Sequence, residues 1–567
     1  MTFPTLNRLI LVVGLFTGSL LSAQFQDLTV QKEIHTRDKG MVVSAHPLAS
    51  QVGAKILRDG GNAFDAAIAT QYALAVVYPQ AGNLGGGGFL IGIKNSGEKI
   101  ALDFRETAPE KAHRNMYIDK EGNPRTDWSQ EGSLAVGVPG SVAGFFATLP
   151  HANLPMEKLI APAIELAEKG FALTQREAEL LNRHKEEFLK NNSMPTAFVK
   201  QTPWKEGDLL IQKDLGKTLR RIQQLGLAGF YEGETAKEIV TEISKGKGIV
   251  SYKDLKNYKV RERQPLEFVY KGHQVISMPL PSSGGILLAQ MLKMSSYENL
   301  EKYEFHSQEA LQIMIEAERR AYADRAEYMG DPDFVEDPTK KLLAESYLKG
   351  RWENFRFSKA TPSSEVGKIY PQAQESTETT HLSVLDKDLN AVSVTTTLNG
   401  LYGSKVVAGK AGFFLNNEMD DFSIKPGTPN MFGAIGGEAN KIEPGKRMLS
   451  SMTPTIVLKD SQPYIVVGTP GGTTIPTSVY QTLVNLIDFK LDANKAVNAA
   501  KFHHQWLPEN VKIEKGFHPE MIKALANKNY SFESVNQIGR TELIVRYENG
   551  AVVGVADGRG DDSVATE

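Results

Sequence analysis

The hydrophobic positions of this chain change period several times along its length. From Ala45 to Val77, Ala, Ile and Leu recur at helical spacing through Ala54, Ile56, Leu57, Ala63, Ala66, Ala67 and Ile68, with Ser44 placed to cap the start. Gly60-Gly61-Asn62 interrupts the run and predicts two helices rather than one. Asn83-Leu84-Gly85-Gly86-Gly87-Gly88 follows, then an apolar strand from Phe89 to Ile93. A glycine run that leads into a strand, instead of opening a helix, predicts close backbone packing and not a phosphate cradle. Residues 155 to 350 are rich in Lys, Glu, Leu and Ala and read as mostly helical, with breaks at Pro279, Pro281 and Gly284-Gly285. From about Ala360 to Thr379 the pattern dissolves into a polar linker carrying Pro362, Ser363, Ser364, Pro371, Gln372, Gln374, Ser376 and Thr377. Alternation of period two then returns. His381 to Leu385 and Ala391 to Leu398 form a hairpin around the turn Asp386–Asn390, and the remainder mixes short strands and helices. No repeat of solenoid period is present.

The first residues follow another pattern. Arg8 precedes the apolar run Leu9–Phe16, which continues to about Ala23 behind the small residue Ser22. This predicts a secretory signal peptide over residues 1–23. The run is shorter than the ~20 residues of a spanning helix, and an uncleaved anchor is the alternative. The expectation is an exported protein, periplasmic or secreted, with no membrane anchor once the leader is removed.

Composition narrows the chemistry. The chain has 567 residues, 41% hydrophobic and 23% charged, which is ordinary globular usage. Lys+Arg 64 against Asp+Glu 67 leaves a net charge of -3, so nothing favours a nucleic-acid partner. Cys is 0, which removes disulfides, cysteine nucleophiles and thiolate metal sites together. Gly216-Lys217-Thr218 lacks the upstream glycine of a Walker loop, because Ile211 stands there. His503-His504 are adjacent and read as structural, and Ser96/Lys99 and Ser244/Lys247 read as chance Ser-x-x-Lys pairs. No cofactor and no metal are expected.

The junction Ser376-Thr377-Glu378-Thr379-Thr380-His381 remains, where a polar linker meets a buried strand. Cutting the Glu378–Thr379 bond would place the Thr379 hydroxyl beside a free α-amine of pKa ~7.7–8.0, which can accept the hydroxyl proton near neutral pH. Thr395, Thr397 and Asn399 are spaced by two and share one face, either the wall of an active site or the solvated face of a sheet.

The wider chain resembles the γ-glutamyltranspeptidases, a family of N-terminal-nucleophile hydrolases. The resemblance rests on an ordered set of segments: Asn83–Phe89, Asp103-Phe104-Arg105-Glu106-Thr107-Ala108-Pro109, Val136–Gly140, Pro281–Gly285, Thr379-Thr380-His381, Leu415–Phe422, Leu449–Met452, Gly468–Gly472 and Phe502–Trp506. It implies an α+β fold, a four-layer αββα sandwich. It also implies a precursor that cuts itself into a large subunit, 24–378, and a small subunit, 379–567, sharing one interleaved core. The implied donors are glutathione and other γ-glutamyl amides, and the implied acceptors are water, amino acids or dipeptides.

The same resemblance assigns roles. Thr379 is the nucleophile and Thr397 orients it. Arg105, Ser450 and Ser451 take the α-carboxylate of the glutamyl head. Asp421, Glu418 and Asn399 take its ammonium, Glu418 standing where many bacterial members have Gln. Gly471 and Gly472 supply the oxyanion N–H pair. Lys425–Gly433 corresponds to a lid, with Phe432 where Tyr is common. Two alternatives accompany this reading: a related amidase or acylase of the same fold, and a catalytically inert exported peptide-binding protein.

Overall fold

The computed structural model describes residues 28–368 and 379–567. The leader expected at 1–23 and the residue Glu378 lie outside the described residues. Two antiparallel sheets of seven strands form the centre. The first runs, in spatial order, Ser563–Thr566, Met41–Ser44, Thr380–Leu385, Ala391–Thr397, Gly87–Ile93, Lys99–Asp103 and Arg261–Arg263. The second runs Glu33–Arg37, Ala551–Ala556, Glu542–Arg546, Gln462–Gly468, Thr455–Lys459, His273–Ser277 and Leu266–Tyr270.

Strand alternation builds the layers, because successive side chains point to opposite faces. Met41, Val43, Phe89 and Ile91 meet Ile276, Ile456, Val466 and Ile544 between the sheets. Their neighbours Val42, Leu90, Leu382 and Val394 face outward onto helices Pro47–Arg58 and Ala63–Val77. On the other side Val275, Val457, Ile465 and Leu543 pack on helices Gly284–Ser296, Gln308–Tyr328 and Thr474–Ile487. The result is the expected αββα sandwich. With both faces of each sheet covered, the polar face expected as one alternative for Thr395, Thr397 and Asn399 is buried rather than solvated.

Three local expectations are corrected. Ser44 ends a strand, and His46 caps the first helix, its Nδ1 accepting from Leu48 N at 3.2 Å. The stretch 155–350 is helical for the most part but also contributes strands: Arg261–Arg263 and His273–Ser277 pair with sheet partners distant in sequence, Leu266–Tyr270 forms a hairpin with His273–Ser277, and the short Phe171–Ala172 and Leu209–Leu210 pair with each other. The second strand of the hairpin ends at Thr397, and Asn399 turns out of it with φ +78°. The glycine run packs as expected: a Cβ on Gly86 would lie 2.0 Å from Thr397 O, and one on Gly88 2.4 Å from Thr395 O.

Candidate active site

The ladder pairs Thr380 with Thr396 and His381 with Thr395, so Thr379 comes opposite Thr397 at the end of the two central strands. Both point into the space between the sheets, on the same face as His381 and Thr395. That face is polar because its groups bond across the interlayer: Ser383 Oγ donates to Glu542 O at 3.0 Å and Ser393 Oγ to Val467 O at 3.1 Å. His381 packs on Gly468, its Nδ1 2.8 Å from Thr395 Oγ1. Burial pushes its pKa down to about 3, so it is a neutral strut. Thr397 Oγ1 accepts from Asn399 N at 2.8 Å, and Asn399 Nδ2 donates to Asn417 O at 3.1 Å, which ties this wall to the turn carrying Glu418.

Arg105 leaves the strand Lys99–Asp103 and is completely buried. Its Nε donates to Met448 O at 3.2 Å and one terminal nitrogen to Leu449 O at 3.3 Å and Asp421 Oδ2 at 2.5 Å; the other pairs with Glu418. Burial alone would lower the guanidinium pKa, but Glu418, Asp421 and Glu106 outweigh it and hold it above its ordinary value. Burial pushes the Glu418 carboxyl well above the usual range and Glu106 up to about 7, with Arg105 opposing both. Glu106, with Oε2 3.7 Å from an Arg105 terminal nitrogen, is a further member of the cluster that sequence reasoning did not assign.

Ser450 is held by its neighbours. Its carbonyl accepts from Ser283 N at 2.8 Å and from Ser283 Oγ at 2.7 Å, and its Oγ accepts from Met452 N at 3.2 Å, so the hydroxyl proton is left to donate elsewhere. Gly471 (φ +138°) and Gly472 (φ +57°) lie just before the helix Thr474–Ile487. Neither N–H donates to any group among the described residues. Two such donors at a helix amino end suit a developing oxyanion. Phe432 lies over them: a Cβ on Gly472 would be 2.5 Å from its ring, and its carbonyl accepts from Gln505 Nε2 at 3.3 Å. Asn430 Nδ2 donates to Asp421 Oδ1 at 2.8 Å. The segment expected as a lid is therefore held through Asn430, a main-chain carbonyl and ring packing, without a phenolic hydroxyl.

One pocket is lined by Thr379, Thr397, Asn399, Arg105, Glu418, Asp421, Ser450, Ser451 and Gly472, with Gly471 adjoining. Asn430 and Phe432, from the segment expected as a lid, also line it, as do Arg325, Met452, Thr473 and Ile475, to which the sequence assigned no role. Arg325 sits in Glu318-Arg319-Arg320-Ala321-Tyr322-Ala323-Asp324-Arg325, on a helix whose charged residues are buried along with its apolar ones. No periodicity marks such a residue. The density of charge on a helix this buried is the one signal that could have.

Two helix-clad antiparallel sheets with a threonine at the head of a central strand define a sandwich of the N-terminal-nucleophile hydrolase type. Comparison with known proteins agrees. The sequence pattern of the family described as "Gamma-glutamyltranspeptidase" matches residues 49–567. The glutathione hydrolase proenzyme of Escherichia coli (strain K12) is 45% identical over 575 residues, covering 99% of each chain. The crystal structure of Helicobacter pylori γ-glutamyltranspeptidase is 44% identical, with TM-score 0.56, covering 60% of this chain and 95% of that one. The cephalosporin acylase of Bacillus halodurans is 25% identical, with TM-score 0.81, covering 95% of this chain and 97% of that one. This chain belongs to the γ-glutamyltranspeptidase family.

Proposed function

We propose that the protein is an autoprocessed γ-glutamyltransferase and glutathione hydrolase. The observation that carries this reading is the pocket in which Thr379 and Thr397 meet the Arg105–Glu418–Asp421 cluster. A glutamyl head is a zwitterion, and this pocket offers cationic, hydroxyl and carboxylate groups side by side. The same cluster favours an amino-acid acyl group over the side chain an acylase of this fold would take.

In self-cleavage the Thr379 hydroxyl attacks the carbonyl of Glu378, its acyl group passes from nitrogen to oxygen, and water opens the ester. That frees the Glu378 carboxylate and the Thr379 amine, giving subunits 24–378 and 379–567. In turnover the Thr379 Oγ attacks the γ-carbonyl of the donor, and its proton passes through the α-amine to the leaving amine as the C–N bond breaks. Gly471 and Gly472 stabilise the oxyanion; losing one such donor typically costs ~2.7–4 kcal/mol. Water or an acceptor amine then attacks the glutamyl ester, and the proton returns to Thr379. Thr397 orients the nucleophile, Arg105, Ser450 and Ser451 hold the carboxylate, and Glu418, Asp421 and Asn399 hold the ammonium. The leader-like start of the sequence supports export to the periplasm or medium. Among the described residues no helix is long and apolar enough to cross a membrane.

The test is purification, a denaturing gel and an assay with a chromogenic γ-glutamyl anilide. Two fragments and release of the aniline are expected; a single inert band would sink the reading. The pH dependence gives a second test. An α-amine of pKa ~7.7–8.0 is mostly protonated at pH 6 and mostly neutral at pH 9, so donor turnover rises across that interval. Transfer rises further than hydrolysis, because an amine acceptor must also be neutral. The transfer-to-hydrolysis ratio at fixed acceptor therefore increases from pH 6 to pH 9, measured from both products; a flat or falling ratio counts against a neutral-amine acceptor.

A further inference from the structure

The cation already assigned to the substrate carboxylate is heavily committed. Arg105 spends its Nε on Met448 O, one terminal nitrogen on Asp421 and Leu449 O, and the other on Glu418. Both edges that a guanidinium can turn to a carboxylate as a two-pronged fork are occupied by protein acceptors.

Arg325 differs in every respect that matters. It reaches the same pocket from the helix Gln308–Tyr328, on the opposite outer layer, and is 7% exposed. Its Nε donates to Ser283 Oγ at 3.1 Å, and its terminal nitrogens hydrogen-bond to nothing among the described residues. No carboxylate comes within ion-pair distance of it there. Ser283 in turn donates to Ser450 O, so the chain Arg325–Ser283–Ser450 joins this guanidinium to the serine pair. Burial lowers its pKa from the ordinary value, Tyr322 and Asp421 oppose that, and Arg105 adds to it. A buried cation without a partner is costly, and a ligand carboxylate would relieve that cost.

We propose that Arg325 is a second carboxylate-binding residue of the glutamyl pocket, presenting its terminal N–H groups to the donor's α-carboxylate beside Ser450 and Ser451. Arg105 then serves two ends at once: it neutralises Glu418 and Asp421 and sets where those acceptors meet the ammonium, while Arg325 supplies the uncommitted fork. The charges agree. The uncommitted donors of Arg325 face one side of the pocket and the acceptors Asp421 and Glu418 line another, so the anionic end of a zwitterion lies toward Arg325 and its cationic end toward Asp421 and Glu418.

This inference rests on the γ-glutamyl reading, and the test separates the two. The processed enzyme is assayed with L-γ-glutamyl-p-nitroanilide and with its 4-aminobutanoyl counterpart, which lacks only the α-carboxylate, under single-turnover conditions for the slower donor. Arg325→Gln is expected to lower kcat/KM for the carboxylated donor by roughly 10- to 100-fold, the scale of a lost hydrogen bond to a charged group, mainly through KM. For the des-carboxy donor the change is expected to stay within about threefold, the residual effect on a partner that never carried the charge. Arg325→Lys, which keeps the charge in a fold-compatible side chain, is expected to fall between. Equal losses on both donors, or no loss on either, overturn the assignment of Arg325 while leaving the γ-glutamyl reading intact. A wild-type protein that turns over neither donor overturns that reading itself. Should Arg325→Gln fail to fold, the comparison of Arg325→Lys with wild type on the two donors decides by the same ratio.

Discussion

Thr379→Ala is expected to remain one chain of nearly full length and to release no aniline from a γ-glutamyl anilide. Thr379 precedes the first ladder pair of a central strand, is 3% exposed, and lies opposite Thr397 in the pocket that holds the charged cluster. In the proposed mechanism its hydroxyl is the attacking atom twice, on the carbonyl of Glu378 and then on the donor. Removing it stops both steps, and loss of a nucleophile from a cooperating site lowers turnover by on the order of 10⁶. The substitution also removes the Cγ2 methyl, and the cavity cost of one methyl group is small beside that loss. Thr379→Ser keeps the attacking oxygen and should still cut, more slowly, because the freer Ser rotamer is less often aimed. A denaturing gel and N-terminal sequencing check this. A small subunit that begins at another residue would falsify the assignment of Thr379.

Arg105 carries the second large effect. Its charge is the counterweight to the buried Glu418 and the largely buried Asp421. Removing one member of such a buried set leaves the others uncompensated and costs about 3–5 kcal/mol. Arg105→Met should therefore lower the melting temperature as well as abolish donor binding. Arg105→Lys keeps one positive charge but loses the planar fork that meets Glu418, Asp421 and two carbonyls together. The expected result is an increase in KM for γ-glutamyl donors of roughly 10- to 100-fold, the scale of lost charge-assisted hydrogen bonds, with self-cleavage retained because that step involves no donor head group. Unchanged KM in the Lys variant would show that the cluster does not receive the donor.

The electrostatics give these variants a direction with pH. Glu106 is pushed up to about 7 in the folded chain by burial, with Arg105 opposing. A carboxyl raised in this way favours the folded state while it is protonated. That contribution is present below its unfolded value of ~4.3 and is lost as pH rises toward the folded value. Without Arg105 the opposing attraction disappears, so the Arg105→Met variant should lose stability more steeply than the wild type between acid and neutral pH.

Much of the site was legible in order along the chain. The threonine pair and the following hairpin could be read from local pattern, because a switch from no period to period two marks where a strand begins. Arg105, Glu418, Asp421, Ser450, Ser451 and the Gly471-Gly472 pair could be named through the family resemblance, each within a short segment of distinctive composition. The strands Leu266–Tyr270 and His273–Ser277 were not legible. They lie in a Lys- and Glu-rich region; Leu266–Tyr270 pairs locally with His273–Ser277, and that hairpin is anchored by His273–Ser277 pairing with Thr455–Lys459, far away in sequence. Local propensity carries little information where non-local pairing supplies the hydrogen bonds.

The sequence by itself determined which chemistry was available: a threonine that can become an N-terminus, no thiol, and carboxylate, guanidinium and hydroxyl groups in a fixed order. These are properties of residue type and local spacing, and they survive without knowledge of any contact. The tertiary structure alone decided how the charges are spent. It placed Glu106 beside Arg105, occupied both edges of that guanidinium with protein acceptors, and brought Arg325 to the same pocket from a helix on the opposite layer with its terminal nitrogens uncommitted. The reason is physical. The cost of a buried charge depends on which partners reach it through the fold, and the fold brings Glu418 and Asp421 to Arg105 across 313 and 316 residues of chain and Ser283 to Arg325 across 42.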